Sequence, residues 1–344
     1  MKAFGFREHG DLDRLEFLEL PDPDPGPGEI RVQLRAAAFN RLDRFVLAGI
    51  PGVPIDRPHA LGSDGSGVVD RLGPGTEGPA VGARVAINPG LWDGTCEACR
   101  ASHEELCRQY RIVGEHVQGT AAEYVVVPRR NVHPLADGLS FEAGAAAPLV
   151  YQTAWRALLS VGALQPGESV AIIGAGGGTS VAALQIARWR GARTVVVTRS
   201  AAKADRARAL GADEAIVLDD DHPLDRALWT WSGKRGVDVV FDSVGRETLP
   251  RSVKALARGG RVVVIGATTG PEVEIDVRTL FWRQASIRGS TMANSAEFDA
   301  MYSELARGSF APVIDRAYPF AQAGEAFRHF ASDDLFGKVV LTLP

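Results

Sequence analysis

Apolar and polar positions follow two different patterns along this chain, and the pattern changes near residue 150. In the first third, Ile30, Val32 and Leu34 take every second position, the two-residue period of a half-buried strand. Gly67-Val68-Val69, Ala83-Arg84-Val85-Ala86-Ile87 and Glu123-Tyr124-Val125-Val126-Val127 read as further short strands between Gly and Pro turns. No long helical period interrupts them, so a small β-barrel-like domain is expected. Past residue 150 the apolar runs become continuous. Ser169-Val170-Ala171-Ile172-Ile173-Gly174 ends in glycines and is followed by a helical pattern through Arg188. Thr194-Val195-Val196-Val197 precedes a helix-like stretch from Ala201 to Leu210, and Val237 to Phe241 and Arg261 to Gly266 repeat the theme. Apolar strands alternating with helices predict a parallel sheet covered on both faces. After Ser290 one helix-like segment (Ala296 to Ala306) and a terminal strand (Lys338 to Leu343) remain.

Composition narrows the class. At 344 residues the chain exceeds what one core usually serves, which predicts two domains. Its 38 basic and 42 acidic residues are well mixed, and no basic block offers a surface to nucleic acid or an anionic membrane. The most apolar long stretch, Ala143 to Leu164, is interrupted by Pro148, Gln152 and Arg156, too polar for a bilayer span. Met1 to Arg7 reads as a strand start with no apolar signal region after it, so a cytoplasmic protein is expected. All 3 cysteines, Cys96, Cys99 and Cys107, fall in one short loop, which suits a metal knuckle better than a disulfide framework.

The turn after the first strand of the second region reads Gly174-Ala175-Gly176-Gly177-Gly178-Thr179-Ser180. Glycines there let the backbone approach a pyrophosphate, and the helix that follows supplies N–H donors and positive dipole. The literal three-glycine spacing is not met; a register of Ala175, Gly177 and Ser180 keeps a small residue wherever packing demands one, with Gly178 and Thr179 between. At the end of the second strand, an acidic residue holds the ribose hydroxyls of NAD, whereas NADP sites supply a cation. Here the turn is Thr198-Arg199-Ser200, then Lys203, with no carboxylate. NADP(H) is therefore expected over NAD(H), with Arg199 pairing a 2′-phosphate.

These features together resemble the medium-chain dehydrogenase/reductase superfamily over the full length. Ala60 to Val69, Pro148 through Trp155, Gly174 through Ala183, and Gly259-Gly260-Arg261 with Gly266 carry the resemblance. It implies an α/β fold: a GroES-like β-barrel domain (1–125 and 300–344) plus a Rossmann doubly wound parallel-sheet domain (126–299). It further implies a nicotinamide near Thr153, Ser243, Val244, Ile265, Gly266, Ala267, Ser290, Thr291 and Met292.

Zinc alcohol dehydrogenases of this superfamily hold a catalytic zinc with Cys, His and Cys beside a Glu. Carried onto this chain, those positions fall at Asn40, Ser63 and Leu149, with Asp64 at the Glu, and none of the three main positions keeps a zinc ligand. The position of the hydroxyl that relays the alcohol's proton falls on Leu42. Asp64 and His59 alone give no reason to expect a rebuilt site. Phe39-Asn40-Arg41-Leu42-Asp43 is instead similar to the metal-free quinone oxidoreductase branch. The cysteine loop resembles the structural zinc lobe, with Asp93, Cys96, Cys99 and Cys107 at its four positions and His103 as a competing fourth ligand. A vestigial, metal-free lobe is the alternative.

Without zinc, the acceptor's developing oxyanion needs hydrogen-bond donors. Family position nominates Asn40, then Tyr151 and Ser63, with Asp43 orienting the loop. Turn capping is the competing role for Asn40 and Asp43. The expected activity is NADPH-dependent reduction of an enone, quinone or related carbonyl compound, with one structural zinc and, by superfamily analogy, a homodimer. An alcohol or ketone oxidoreductase and a non-catalytic, crystallin-like NADPH-binding protein are the alternatives.

Overall fold

The alternation of Ile30, Val32 and Leu34 is realised in the strand Glu29–Ala38, where all three side chains are buried. The computed structural model describes residues 1–219 and 221–344. In it the chain divides into two units, Met1–Leu149 with Asn294–Pro344, and Val150–Ala293.

Glu29–Ala38 organises the first unit. It pairs antiparallel with Asp64–Leu72, with Tyr124–Pro128 over its first half, and with the C-terminal strand Lys338–Thr342 over its end. Arg84–Ile87 and Val132–Pro134 extend the sheet on one side, and Ile314–Pro319 closes the other. Phe39 lies edge-on to Phe327 at 4.9 Å between ring centroids, in a core with Phe4, Phe6, Val46 and Leu341. Phe327 belongs to the helix Ala323–Phe330, which buries Ala323, Ala326, Phe327 and Phe330, one face at helical spacing. Neither this helix nor Ile314–Pro319 was expected from the sequence, because both are short and follow no glycine-bounded apolar run.

The second unit is a six-stranded, wholly parallel sheet. Its strand order is Glu214–Val217, Arg193–Thr198, Ser169–Ile173, Val237–Asp242, Leu256–Val264, Ser286–Gly289. Numbered within this unit, the order is 3-2-1-4-5-6, the doubly wound arrangement. Val170 to Ile173 and Val195 to Val197 are fully buried, which explains why these strands lack alternation. Arg261 is buried and grips both carboxylate oxygens of Glu168, at 2.7 and 2.6 Å, tying the approach to the first strand to the fifth.

The division between units differs from the expected boundary near 125 and 300. Tyr124–Pro128 pairs with Glu29–Ala38, and Val132–Pro134 pairs with Arg84–Ile87, so residues 126–149 complete the first unit's sheet. The helix Ser295–Ala306 belongs there as well, since Phe298 packs on His133 at 4.6 Å between centroids. Tertiary pairing, not local pattern, sets that boundary. Among the described residues no helix is long and apolar enough to cross a membrane. The stretch Ala143 to Leu164 comprises three short helical pieces, within 141–146, 148–155 and 156–161.

Candidate active site and metal lobe

Sheet register brings three distant polar side chains together. Ala38 faces Asp64 on one neighbouring strand and Val340 on the other. Asn40 lies two residues beyond Ala38, and Lys338 two before Val340, so both project at the same end of the sheet. Asp64 Oδ2 accepts from Asn40 Nδ2 at 2.9 Å and from Lys338 Nζ at 2.9 Å. Lys338 Nζ also donates to Asn40 Oδ1 at 2.5 Å and to the Phe39 carbonyl at 2.8 Å. The other Asp64 oxygen accepts the Leu149 N–H at 2.8 Å. Asn40, Asp64 and Lys338 are 4%, 0% and 3% exposed, and each ammonium proton has its acceptor.

Asn40 precedes the helix Arg41–Ala48, and Asp43 reaches back to its N–H at 2.6 Å. The second Asp43 oxygen accepts the Gly62 N–H, also at 2.6 Å. Gly62 has φ +89, and an added Cβ would stand 2.7 Å from Thr120 Oγ1, so only glycine presents that N–H. Burial pushes the Asp43 carboxyl up to about 6, against the opposing pull of the two N–H bonds and Lys338. The Ser63 hydroxyl is buried without a hydrogen-bond partner. His59 is committed elsewhere, its ring nitrogens 3.1 Å from the Gly114 carbonyl and 3.3 Å from that of Asp56. Tyr151 lies in the second unit, buried, its hydroxyl bonded to Gln185, and desolvation raises its pKa above the ordinary phenol value.

Asp93, Cys96, Cys99 and Cys107 bring their ligand atoms within 4.8 Å of one another, and this is the one such group of metal-ligating side chains among the described residues. In a zinc tetrahedron, thiolate sulfurs about 2.3 Å from the ion stand roughly 3.8 Å apart, so the four need close in only slightly. Asp93 Oδ1 accepts the N–H groups of Thr95 at 2.6 Å and Cys96 at 2.8 Å, which hold its carboxyl below the usual range. Cys107 Sγ accepts the Gln109 N–H at 3.4 Å, the type of bond that suits a thiolate. His103, the competing ligand, turns toward Glu105 instead, at 3.3 Å.

In the second unit the turn leaves Ser169–Ile173 and enters the helix Gly178–Trp189. Gly174 and Gly176 carry φ of +89 and +102 and therefore require glycine, whereas Gly177 is extended and caps the helix. The backbone requirement thus falls on two glycines outside the expected register, beside Ala175, Gly177, Gly178, Thr179 and Ser180. Thr198 is buried, and Ser200 caps the next helix by accepting the Lys203 N–H at 3.3 Å. Arg199 is exposed and pairs with Glu247 at 3.2 Å, a partner the sequence did not indicate. Buried Asp242 accepts from the N–H groups of Val244 and Gly245 and from the hydroxyls of Thr248 and Ser252. It shapes the turn carrying Ser243 and Val244. Ile265, Gly266 and Ala267 follow the fifth strand, and Ser290 donates its N–H to Val264 while its hydroxyl is buried without a partner. Thr291 follows, and Met292 lies with its sulfur 3.9 Å from Thr153 Oγ1. Apart from Thr153, every one of these positions lies at or just beyond the carboxyl end of a parallel strand, where open α/β sheets bind ligands.

A sequence model described as Zinc-binding dehydrogenase matches residues 178–307, and one described as Alcohol dehydrogenase GroES-like domain matches residues 26–137. A zinc-type alcohol dehydrogenase-like protein of Schizosaccharomyces pombe is 31% identical, covering 92% of this chain and 91% of its own. The quinone oxidoreductase of Lama guanicoe is 29% identical, covering 100% and 98%. The polyketide synthase GfsB of Streptomyces halstedii is 33% identical over 92% of this chain, which spans only 5% of that protein. The crystal structure of an NAD-dependent alcohol dehydrogenase superposes with a TM-score of 0.94 at 43% identity, covering 100% of both chains. Fold and relatives define a nicotinamide-dependent oxidoreductase. The chain belongs to the medium-chain dehydrogenase/reductase superfamily.

The Asp43 value sets a pH dependence. Folding raises this carboxyl from 3.8 to about 6, so between those values the folded chain binds the extra proton. Its contribution to stability is full below about pH 4 and is lost as pH rises through about 6, by roughly 3 kcal/mol. Asp43→Asn carries no such proton. Calorimetry should show the parent losing stability relative to this variant between about pH 4 and about pH 6.5. A difference that stays constant across that range refutes the shift.

Proposed function

We propose that the chain is an NADPH-dependent reductase of enones, quinones or related carbonyl compounds, with no catalytic zinc and one structural zinc in the Asp93 lobe. The observation that carries this reading is the Asn40–Asp64–Lys338 cluster. At the positions where the resemblance to zinc alcohol dehydrogenases implies zinc ligands, this chain has an amide, a hydroxyl and an apolar residue, Asn40, Ser63 and Leu149. The adjacent carboxylate is already neutralised by an ammonium at 2.9 Å. Such a set holds protons in place and offers little to a divalent cation.

Bound NADPH supplies the hydride. The chain's own part is to orient the acceptor and hold the charge that develops on it. When hydride goes to the β-carbon of an enone, negative charge spreads over an enolate. Asn40 keeps a second amide proton outside its bond to Asp64, and the Ser63 hydroxyl has no partner. Both suit that oxygen. A simple alcohol would first have to lose its proton, a step that zinc makes easy and this cluster does not. The second reading, an NAD-dependent alcohol dehydrogenase, is favoured by the 43% identity to the crystal structure of such an enzyme.

NADPH preference rests on Arg199 and on the absence of a carboxylate in its turn. The exposed Arg199–Glu247 pair is weak enough for a 2′-phosphate to replace it. We also propose a homodimer through the edge strand Ser286–Gly289. It carries unpaired backbone groups, and the helix Val277–Arg283 just before it leaves Phe281 and Trp282 64% and 69% exposed. Three free cysteines accord with a cytoplasmic location.

NADPH oxidation should proceed with enones or quinones and far more slowly with simple ketones. NADPH bound tightly and never oxidised by any of them would instead indicate a binding protein. In fluorescence titration NADPH should bind more tightly than NADH, and Arg199→Ala should weaken NADPH alone by about 1–3 kcal/mol. Equal affinities in the parent would end the argument for NADP. Elemental analysis should find one zinc per chain, and Cys99→Ser should lower the melting temperature while sparing turnover in the folded fraction. Two metals per chain would overturn the zinc-free mechanism, and none would make the lobe a vestige. Light scattering of dilute protein should give twice 36.7 kDa, and a lone 36.7 kDa species refutes the dimer.

A further inference from the structure

We propose that Lys338 is a positioning residue that fixes which end of the Asn40 amide faces the acceptor; this rests on the carbonyl-reductase reading above. The two ends of an asparagine side chain have nearly the same shape and opposite hydrogen-bonding character, so neighbours decide the orientation. Lys338 can only donate, and an ionised Asp64 can only accept. Lys338 Nζ lies 2.5 Å from Asn40 Oδ1, and Asp64 Oδ2 lies 2.9 Å from Asn40 Nδ2. Turning the amide over would set N–H against ammonium and carbonyl against carboxylate, two repulsive contacts among buried groups that bulk solvent screens little.

The fixed orientation has a chemical consequence. One Asn40 amide proton is spent on Asp64, and the other points away from the two groups that hold the side chain. An ammonium on the amide oxygen also polarises the group, which makes the remaining N–H a stronger donor. Lys338 cannot itself serve the substrate, because its three protons go to Phe39, Asn40 and Asp64. It acts only through Asn40. Its Asp64 counter-ion keeps the cluster neutral, so the arrangement does not leave an isolated buried charge.

The test compares Lys338→Met, which keeps length and apolar volume, with Lys338→Met/Asp64→Asn, which leaves no unpaired charge. In enone reduction with NADPH, Lys338→Met should lower kcat by about tenfold to about a hundredfold with NADPH affinity unchanged. The double variant should regain thermal stability and not kcat. Recovery of both, or kcat of folded Lys338→Met within about twofold of the parent, refutes positioning in favour of simple charge balance. A second readout does not need turnover. With asparagine amides labelled by nitrogen-15, the Asn40 side-chain resonance is identified by its loss in Asn40→Ser. It should be protected from solvent exchange in the parent and lose that protection in both Lys338 variants. Protection unchanged by Lys338→Met overturns the proposal even if the parent reduces nothing, whereas a parent without turnover overturns the carbonyl-reductase reading alone.

Discussion

A buried ammonium–carboxylate pair sits where one strand of the first unit ends and two neighbouring strands begin, and much of the site's geometry depends on it. Moving Lys338 and Asp64 out of water is costly, and the cost is met only because every proton of the ammonium and both oxygens of the carboxylate find partners. Those partners are Asn40, the Phe39 carbonyl and the Leu149 N–H. Satisfying the charges therefore holds the start of the helix Arg41–Ala48 and the end of the first unit's N-terminal segment at once. The hydrophobic contact of Phe39 with Phe327 lies immediately beside it and keeps the low dielectric that gives the pair its strength.

The second unit solves a different problem. Its inner strands are buried on both faces, so backbone hydrogen bonding and apolar packing leave functional groups there only at strand ends. Asp242 shows how the turns there are built: one buried carboxylate collects two N–H groups and two hydroxyls, and the chain must bend around it. Gly174 and Gly176 do the same work by conformational freedom, accepting positive φ where a side chain would be strained. The cysteine lobe uses a third means. It has few large apolar side chains, and four ligand atoms converge where a core would otherwise be.

The sequence by itself determined what depends on neighbours along the chain. Alternation in Glu29–Ala38, continuous apolar strands in the second unit and the glycine turn are local patterns, and each appears in the structure where it was read. The lobe was legible for the same reason, since Asp93, Cys96, Cys99 and Cys107 lie within fifteen positions and their spacing is the signal. Tertiary structure alone decided the rest. Lys338 read as the first residue of a terminal strand, because its partners Asn40 and Asp64 lie 298 and 274 positions away. Only the pairing of Lys338–Thr342 with Glu29–Ala38 brings them together. The unit boundary moved from 125 to 149 by the same physics, because strand pairing joins residues that local pattern cannot connect. Glu247 beside Arg199 was likewise invisible, since that partner's identity depends on which strands become neighbours and not on the spacing of residues in either of them.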